Sequence, residues 1–507
     1  MSPLPEELRS YQWPPSTEDI AKEQGLSASQ ILRFDGNTPP APPASARPGT
    51  IAKALADVND YDRGRYFALR SAIAAYHDVS IDQVVLGAGS DELIVVCARA
   101  FAPNGTVATV PTNSYSMYSF AAGMANATMI YKPKKAYLVF VCRPNNPTGE
   151  LPDVPSVNGQ LVIDEAYAEY AQENMVHLIN EGAIVLRTFS KAFGLAGARV
   201  GYALCDPERA KILSSRLAPL SVSSLSAVLA LAALSSPPDV TEQIAERERF
   251  AKELTNVGLE PLKSYTNFLY VPYDEPEKFV ASLLPFGVVV RAFKGAIRIS
   301  VRDRDDDDVL LDAIKKMRVG ELPDPSLYRL QRATAETRIN IRLRLRGEGR
   351  VFVDTGNGLY DHMLQQLAFH SGMDLRLEGV GDLETGDHHT VEDMMRAFGD
   401  ALSAALGDRR GIVRYGEARV PMDEALAHAV IDLSGRPVSQ LVISPDPGMA
   451  KHALESLAQS ARLTLHVEAK GDNDHHVAEA AFKAVGRALE IALRVDGNQV
   501  RSTKGLL

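Results

Sequence analysis

The sequence predicts a two-part chain: an α/β unit with a largely parallel sheet, followed by a duplicated α+β unit. Three observations carry this reading. Between residues 80 and 205, short apolar strands alternate with helical patterns, and polar motifs follow the strands, where such sheets bind ligands. The stretch Val319-Gly320-Glu321-Leu322-Pro323-Asp324-Pro325 then reads as a break after a helical run ending near Arg318. Beyond it, one set of residues occurs twice at nearly constant spacing.

A chain of 507 residues is long for one domain, and the break suggests where to divide it. The expected boundaries are 1–318 for the first domain, 319–327 for a linker and 328–507 for the second domain. The net charge of −10 argues against a broad nucleic-acid or anionic-membrane surface, although a few local Arg and Lys suffice for a small phosphorylated substrate. Cys97, Cys142 and Cys205 show no metal spacing, which suggests a reducing cytoplasm without a disulfide frame. The first residues lack a basic start followed by an apolar segment, so no signal peptide is expected, and no apolar run is long enough to span a bilayer. Pro39 to Pro48 reads as an extended lead-in, and Asp303 to Asp308 as a solvated helix start.

In the first part, Val162-Ile163 runs into Asp164-Glu165-Ala166-Tyr167, and Ile184-Val185-Leu186 runs into Thr188-Phe189-Ser190-Lys191. A lysine just past a buried strand in a Gly-rich loop is placed to be desolvated and nucleophilic. The lysine alone favours a surface lysine in a flexible loop; its surroundings change that. Residues 188–202, Thr-Phe-Ser-Lys-Ala-Phe-Gly-Leu-Ala-Gly-Ala-Arg-Val-Gly-Tyr, resemble the pyridoxal-phosphate lysine motif of fold-type I aminotransferases. Asn145-Asn146-Pro147-Thr148-Gly149, Asp164 to Tyr167 and Gly89-Ser90-Asp91-Glu92-Leu93 resemble that family's other motifs, over roughly residues 30 to 318.

The resemblance implies a role for each of these residues. Lys191 links to pyridoxal 5′-phosphate and shuttles the proton. Asp164 pairs with the pyridine nitrogen. Tyr167 and Asn146 bond the phenolic oxygen, and Tyr115 stacks on the ring. Ser190, Arg199 and the backbone at Ser90 and Asp91 hold the phosphate at a helix start. Tyr61 reaches the phosphate from a neighbouring subunit, while Arg298, assisted by Arg291, binds the anionic group of the substrate. Two departures concern the substrate lid: Gly36-Asn37-Thr38-Pro39-Pro40 lacks the family's glutamate, and the stretch from Ala127 to Val141 is short.

The second part carries His388-His389-x-x-Glu392 and His475-His476-x-x-Glu479, which begin 87 residues apart. Residues i and i+4 share a helix face, so His388 lies near Glu392 and His475 near Glu479. Adjacent histidines point about 100° apart, so each pair can reach toward two ions. Asp361 to Ala368 matches Lys451 to Ala458 at an offset of 90, which adds His362 and His452. Six imidazoles and two carboxylates suit borderline divalent metals such as Mn, Fe or Zn, and suffice for two sites.

The set Asp361-His362-Met363-Leu364, Asp387 to Asp393, Pro421 to Ala425, Asp432 to Pro437, His475-His476-x-x-Glu479-x-x-x-Lys483 and Ser502-Thr503-Lys504-Gly505 resembles imidazoleglycerol-phosphate dehydratase throughout this part. That resemblance implies two Mn²⁺ per site and places Glu336 and Glu479 in proton transfer. It also implies a phosphate grip by Arg414, Arg436, Ser502 and Lys504, with His370 and Lys483 completing the pocket. The family's active site forms between subunits of a cage, so a high-order homo-oligomer is expected. Arg396 holds the place in repeat one that Lys483 holds in repeat two, and is expected to be structural.

The dehydratase product, imidazole-acetol phosphate, is the amino acceptor of histidinol-phosphate aminotransferase. The expected function is therefore two consecutive steps of histidine biosynthesis in one cytoplasmic chain, with glutamate as amino donor. The rival readings are a related decarboxylase of phosphorylated amino acids in the first part, or a first part serving only as an assembly scaffold.

Overall fold

The computed structural model describes residues 14–502 apart from 27, 41, 44, 47–49, 53–54, 56–57, 62–63, 65, 322–326, 335, 382–385, 447 and 498. The chain divides into two compact units. One comprises Met1–Gln24 with Ile31–Leu322, and the other Gly25–Gln30 with Pro323–Leu507. A single cut near residue 318 does not capture the grouping of Gly25–Gln30 with the second unit.

Seven strands form one sheet in the first unit: β1 (Val84–Gly87), β2 (Thr106–Val110), β3 (Thr128–Met129), β4 (Leu138–Cys142), β5 (Gln160–Asp164), β6 (Ile184–Thr188) and β7 (Gly201–Leu204). Their order is β1-β7-β6-β5-β4-β2-β3. Only β7 runs antiparallel to its neighbours, β1 and β6, so the sheet is largely parallel as expected. Every residue of β4 and β6 is buried, which is why both read as unbroken β-rich runs without alternation. One face is covered by α1 (Ser90–Phe101) and α2 (Met117–Met124), through Leu93, Ile94, Tyr118 and Ala121. The three cysteines are buried and unpaired by disulfide.

A second sheet is antiparallel, in the order β9 (Arg291–Phe293), β10 (Ala296–Ser300), β8 (Phe268–Pro272). It leads into α3 (Arg304–Val319), whose start corrects one expectation. Asp303 caps the helix by accepting from the Asp306 N–H at 3.1 Å. Asp306 and Asp307, however, are fully buried rather than solvated. They turn inward because Arg302 holds them: its Nε lies 2.6 Å from Asp306, and its backbone N–H donates to Asp307 at 3.1 Å.

The second unit repeats one plan. Repeat one comprises β11 (Leu327–Ala333), β12 (Thr337–Arg344), β13 (Val351–Asp354), α4 (Gly358–His370), β14 (Asp374–Gly381) and α5 (His388–Leu406). Repeat two comprises β15 (Tyr415–Met422), β16 (Ala425–Asp432), β17 (Val438–Ser444), α6 (Ala450–Ser460), β18 (Thr464–Lys470) and α7 (Asp474–Ala492). The sheets run β11-β12-β14-β13 and β15-β16-β18-β17, each with two antiparallel pairings and one parallel pairing. On β12, Ile339, Ile341 and Leu343 alternate inward, the period-two pattern of a strand with one covered face.

One apolar core spans both repeats. Within it the helices exchange partners, α4 packing on α7 and α5 on α6. Glycine makes both crossings close. A methyl group on Gly486 would meet the Leu367 carbonyl oxygen at 2.4 Å, and one on Gly399 would meet the Ala461 nitrogen at 2.8 Å. These glycines stand 87 residues apart, the same offset as the His-His pairs.

Candidate active sites

In the first unit, polar residues gather where β4, β5 and β6 end. Asp164 closes β5 and is 3% exposed. Its carboxylate accepts from the Tyr118 hydroxyl at 2.8 Å and from the Ala166 N–H at 3.2 Å. Burial raises its pKa to about 6 against the pull of those donors. β6 runs through Thr188 to buried Ser190 and then Lys191. The Lys191 ammonium lies 3.5 Å from the Gly36 carbonyl oxygen and 5.5 Å from the Tyr167 ring centre. Burial first, and then Arg298, lower it to about 8, so the nucleophilic neutral amine is accessible near neutral pH.

Arg298, on β10, is buried; it donates to Asn146 Oδ1 at 2.6 Å and to the Asp35 carbonyl at 3.0 Å. Arg291 stands opposite it on β9 and is exposed. At the start of α1, Asp91 accepts from Tyr115 Oη and from Arg199 Nη2, both at 3.1 Å. A methyl group on Gly89 would lie 2.7 Å from Arg199 Nη2, so the guanidinium crosses directly over this helix start. Tyr61 is 78% exposed.

Two residues of this site were missed by motif reading. Tyr118, the donor to Asp164, lies three positions after Tyr115 on the same face of the chain turn, and that spacing was its available signal. Asn37 is 2% exposed and donates to the Tyr167 hydroxyl at 3.0 Å, while its own Oδ1 accepts from Ser300 at 3.0 Å. It has φ of 52°, a left-handed conformation in which Asn is enriched. A buried carboxylate, a desolvated lysine, and a helix start with an arginine over it together fit pyridoxal phosphate.

In the second unit, the helix exchange brings the repeats together crosswise. His362 of α4 meets His475 and Glu479 of α7, while His452 of α6 meets His388 and Glu392 of α5. Within each triad the candidate ligand atoms all lie within 4.8 Å of one another. The His362 and His475 rings stack at 5.7 Å between centres, and those of His388 and His452 at 4.9 Å. His452 Nε2 is buried without a hydrogen-bond partner and lies 3.7 Å from Glu392 Oε2, a position open to a metal ion. Two imidazoles and a carboxylate in each group fit a borderline divalent ion.

His389 and His476 lie outside both triads, so eight ligands do not converge within one chain. The reason is the helical step of about 100°, which turns each second histidine off the shared face. His389 Nδ1 lies 3.6 Å from Glu336, and His476 Nδ1 lies 2.8 Å from Glu424. Glu479 is held by Lys483 at 2.7 Å. Burial pushes this carboxyl upward, but Lys483, His362 and His475 outweigh it and leave it below the ordinary value. His370 ends α4, and burial followed by Lys483 lowers its pKa.

The expected phosphate residues are not uniformly free. Arg414 is 9% exposed and forks onto Asp432 at 2.7 and 3.0 Å, while its Nη1 donates to the Arg501 carbonyl at 2.6 Å. Arg436 is exposed, beside Ser434. The Ser502 N–H donates to the Val500 carbonyl at 2.8 Å, and Lys504 lies outside the described residues. Among the described residues, no helix is long and apolar enough to cross a membrane.

Residues 24–314 match the family model for class I and II aminotransferases, and residues 355–489 match that for imidazoleglycerol-phosphate dehydratase. An imidazoleglycerol-phosphate dehydratase of Methanosarcina mazei is 44% identical over 191 residues, covering 36% of this chain and 99% of that protein. The histidinol-phosphate aminotransferase structure from Sinorhizobium meliloti, solved with pyridoxal-5′-phosphate, is 24% identical with a TM-score of 0.55, covering 63% of this chain and 98% of that one. An L-threonine-O-3-phosphate decarboxylase from Porphyromonas gingivalis is 18% identical with a TM-score of 0.51, covering 57% and 100%. At these identities the two structural likenesses show the fold alone.

Proposed function

Because this chain belongs to the class I and II aminotransferases over its first part and to the imidazoleglycerol-phosphate dehydratases over its last, we propose that it performs two consecutive steps of histidine biosynthesis. The second unit dehydrates imidazoleglycerol phosphate to imidazole-acetol phosphate. The first unit transaminates that ketone with glutamate to L-histidinol phosphate. The crosswise pair of His-His-Glu triads carries this reading. The dehydratase relationship gives the second unit an imidazole substrate, and the product of that reaction selects one specificity among aminotransferases of the same fold.

In the dehydratase, the chemical difficulty is removal of a weakly acidic C–H proton with loss of a hydroxyl. Bound metal supplies Lewis acidity at the imidazole nitrogens. The chain's own groups do the rest. Glu336 and Glu479 move protons, with Glu479 kept ionised by Lys483. His370 and Lys483 close the pocket. Arg436, Ser502 and Lys504 hold the substrate phosphate, and Arg414, locked onto Asp432, braces the tail at Arg501. We assign two Mn²⁺ ions, with His389 and His476 completing the coordination from their own faces in an assembled homo-oligomer.

In the aminotransferase, pyridoxal phosphate supplies the electron sink when bound. Asp164 is the acceptor for the pyridine N–H, buried and oriented by Tyr118. Lys191 is the nucleophile and proton carrier. Tyr167 and Asn146 face the phenolic oxygen, and Tyr115 the ring. Ser190, Arg199, and Ser90 and Asp91 at the start of α1 hold the phosphate, with Tyr61 reaching a neighbouring subunit's site. Arg298, with Arg291 opposite, binds the anionic group of the substrate. We place the protein in the cytoplasm, where three buried free thiols are stable.

The alternative is a decarboxylase of phosphorylated amino acids, which shares this fold, so the fold does not separate the two activities. Incubation of the purified chain with imidazole-acetol phosphate and glutamate separates the two. Formation of histidinol phosphate and 2-oxoglutarate supports the proposal. Carbon dioxide release from a phosphorylated amino acid without transamination overturns it.

A further inference from the structure

Both triads keep their glutamate in the same way. Glu479 Oε2 lies 3.4 Å from His475 Nε2 and 3.7 Å from His362 Nε2, while Lys483 Nζ holds Oε1 at 2.7 Å. Glu392 Oε2 lies 3.4 Å from His388 Nε2 and 3.7 Å from His452 Nε2, while Arg396 Nη2 holds Oε1 at 2.6 Å. In each case one oxygen faces the two imidazoles and a cation one helical turn along takes the other. The cations differ, one ammonium and one guanidinium, yet the distances to the imidazoles are the same.

We propose that Arg396 is a positioning residue of the centre formed by His388, Glu392 and His452, restraining Glu392 so that a single oxygen, Oε2, faces the metal. This inference rests on the metal reading given above, and it replaces the purely structural role expected for Arg396. An i,i+4 Glu–Arg pair on a helix adds little stability. That is too little to explain why two unlike cations take the equivalent oxygen in both repeats. Orientation explains it better. A free carboxylate rotates and can offer a metal either one oxygen or both, whereas a carboxylate tethered through Oε1 offers one, already aimed at the gap between the imidazoles. His452 Nε2, buried and without a hydrogen-bond partner, marks that gap from the other repeat.

Mn²⁺ titration of the metal-free full-length protein, with free Mn²⁺ read by electron paramagnetic resonance, tests this. Wild-type protein is expected to bind in both centres. Arg396→Leu is expected to weaken one class of site about 10- to 100-fold, the usual loss when the outer partner of a ligand is removed, and to leave the other class unchanged. Arg396→Lys should recover most of the loss, because Lys483 does the same work in repeat two. In a His452→Ala background, Arg396→Leu should add no further weakening. Wild-type titration by Arg396→Leu, failure of Arg396→Lys to recover, or equal weakening of both classes overturns the proposal. Absence of Mn²⁺ binding by wild-type protein would instead overturn the metal reading on which it stands.

Discussion

The lowered pKa of Lys191 makes the uptake of pyridoxal phosphate a direct probe of the first site. Only the neutral amine attacks the cofactor's aldehyde, so the rate rises with pH until the lysine is fully deprotonated. An ordinary lysine near 10.5 is held here to about 8, by burial first and by Arg298 second. At pH 7 the neutral fraction is then about one in ten, against about one in three thousand for an unperturbed lysine, a gain of roughly 300-fold. Stopped-flow absorbance after mixing cofactor-free protein with pyridoxal phosphate, from pH 6 to 10, should show the rate climbing tenfold per unit and levelling near pH 8. Arg298→Gln removes a nearby positive charge, so the midpoint should move upward and uptake at pH 7 should slow by about 3- to 10-fold. A midpoint near 10 in wild-type protein, or a downward move in Arg298→Gln, would show that burial or Arg298, respectively, does not depress the lysine.

Tyr118→Phe removes a hydrogen bond to a buried carboxylate, a contact typically contributing about 1.5–3 kcal/mol; pyridoxal phosphate affinity measured by fluorescence titration should fall about 10- to 100-fold. Gly486→Ala places a methyl group 2.4 Å from the Leu367 carbonyl oxygen, so thermal melts should show destabilisation of about 1–3 kcal/mol, with no change expected for Gly358→Ala, where the space is open. His475→Ala removes one of three ligands of its triad, and Mn²⁺ titration should show that class of site lost while the His388 triad still binds.

Much of this was legible in the sequence, for identifiable reasons. The strand before Lys191 is buried throughout and the one ending at Asp164 is buried over its last three residues, so both read as largely apolar runs leading into polar motifs. The His-His-x-x-Glu pairs begin regular helices, where spacing alone decides which residues share a face. What spacing does not encode is which helices cross. The sequence pairs His388 with Glu392, but the third ligand, His452, arrives from the other repeat because α5 packs on α6. The glycines that permit this, Gly399 and Gly486, repeat at the same offset and were the unread signal. Asn37 was obscured differently. It sits far from the lysine motif in a segment that departs from the family's pattern, and only tertiary packing brings it to Tyr167. The inward turn of Asp306 and Asp307 likewise depends on Arg302, a partner that composition does not reveal.

In the proposed reaction sequence one chain holds both activities, and the second unit feeds the first. Its most direct test is a one-pot reaction of the purified protein with imidazoleglycerol phosphate, glutamate, pyridoxal phosphate and Mn²⁺, with products followed by mass spectrometry. Histidinol phosphate should form with wild-type protein. Lys191→Ala should stop at imidazole-acetol phosphate and His475→Ala should leave the substrate unconverted, while a mixture of the two variants restores the product if their sites remain intact on exchange of the free ketone. Accumulation of imidazole-acetol phosphate by wild-type protein, with no histidinol phosphate in the presence of glutamate and cofactor, would show that the first unit does not take the ketone as its amino acceptor.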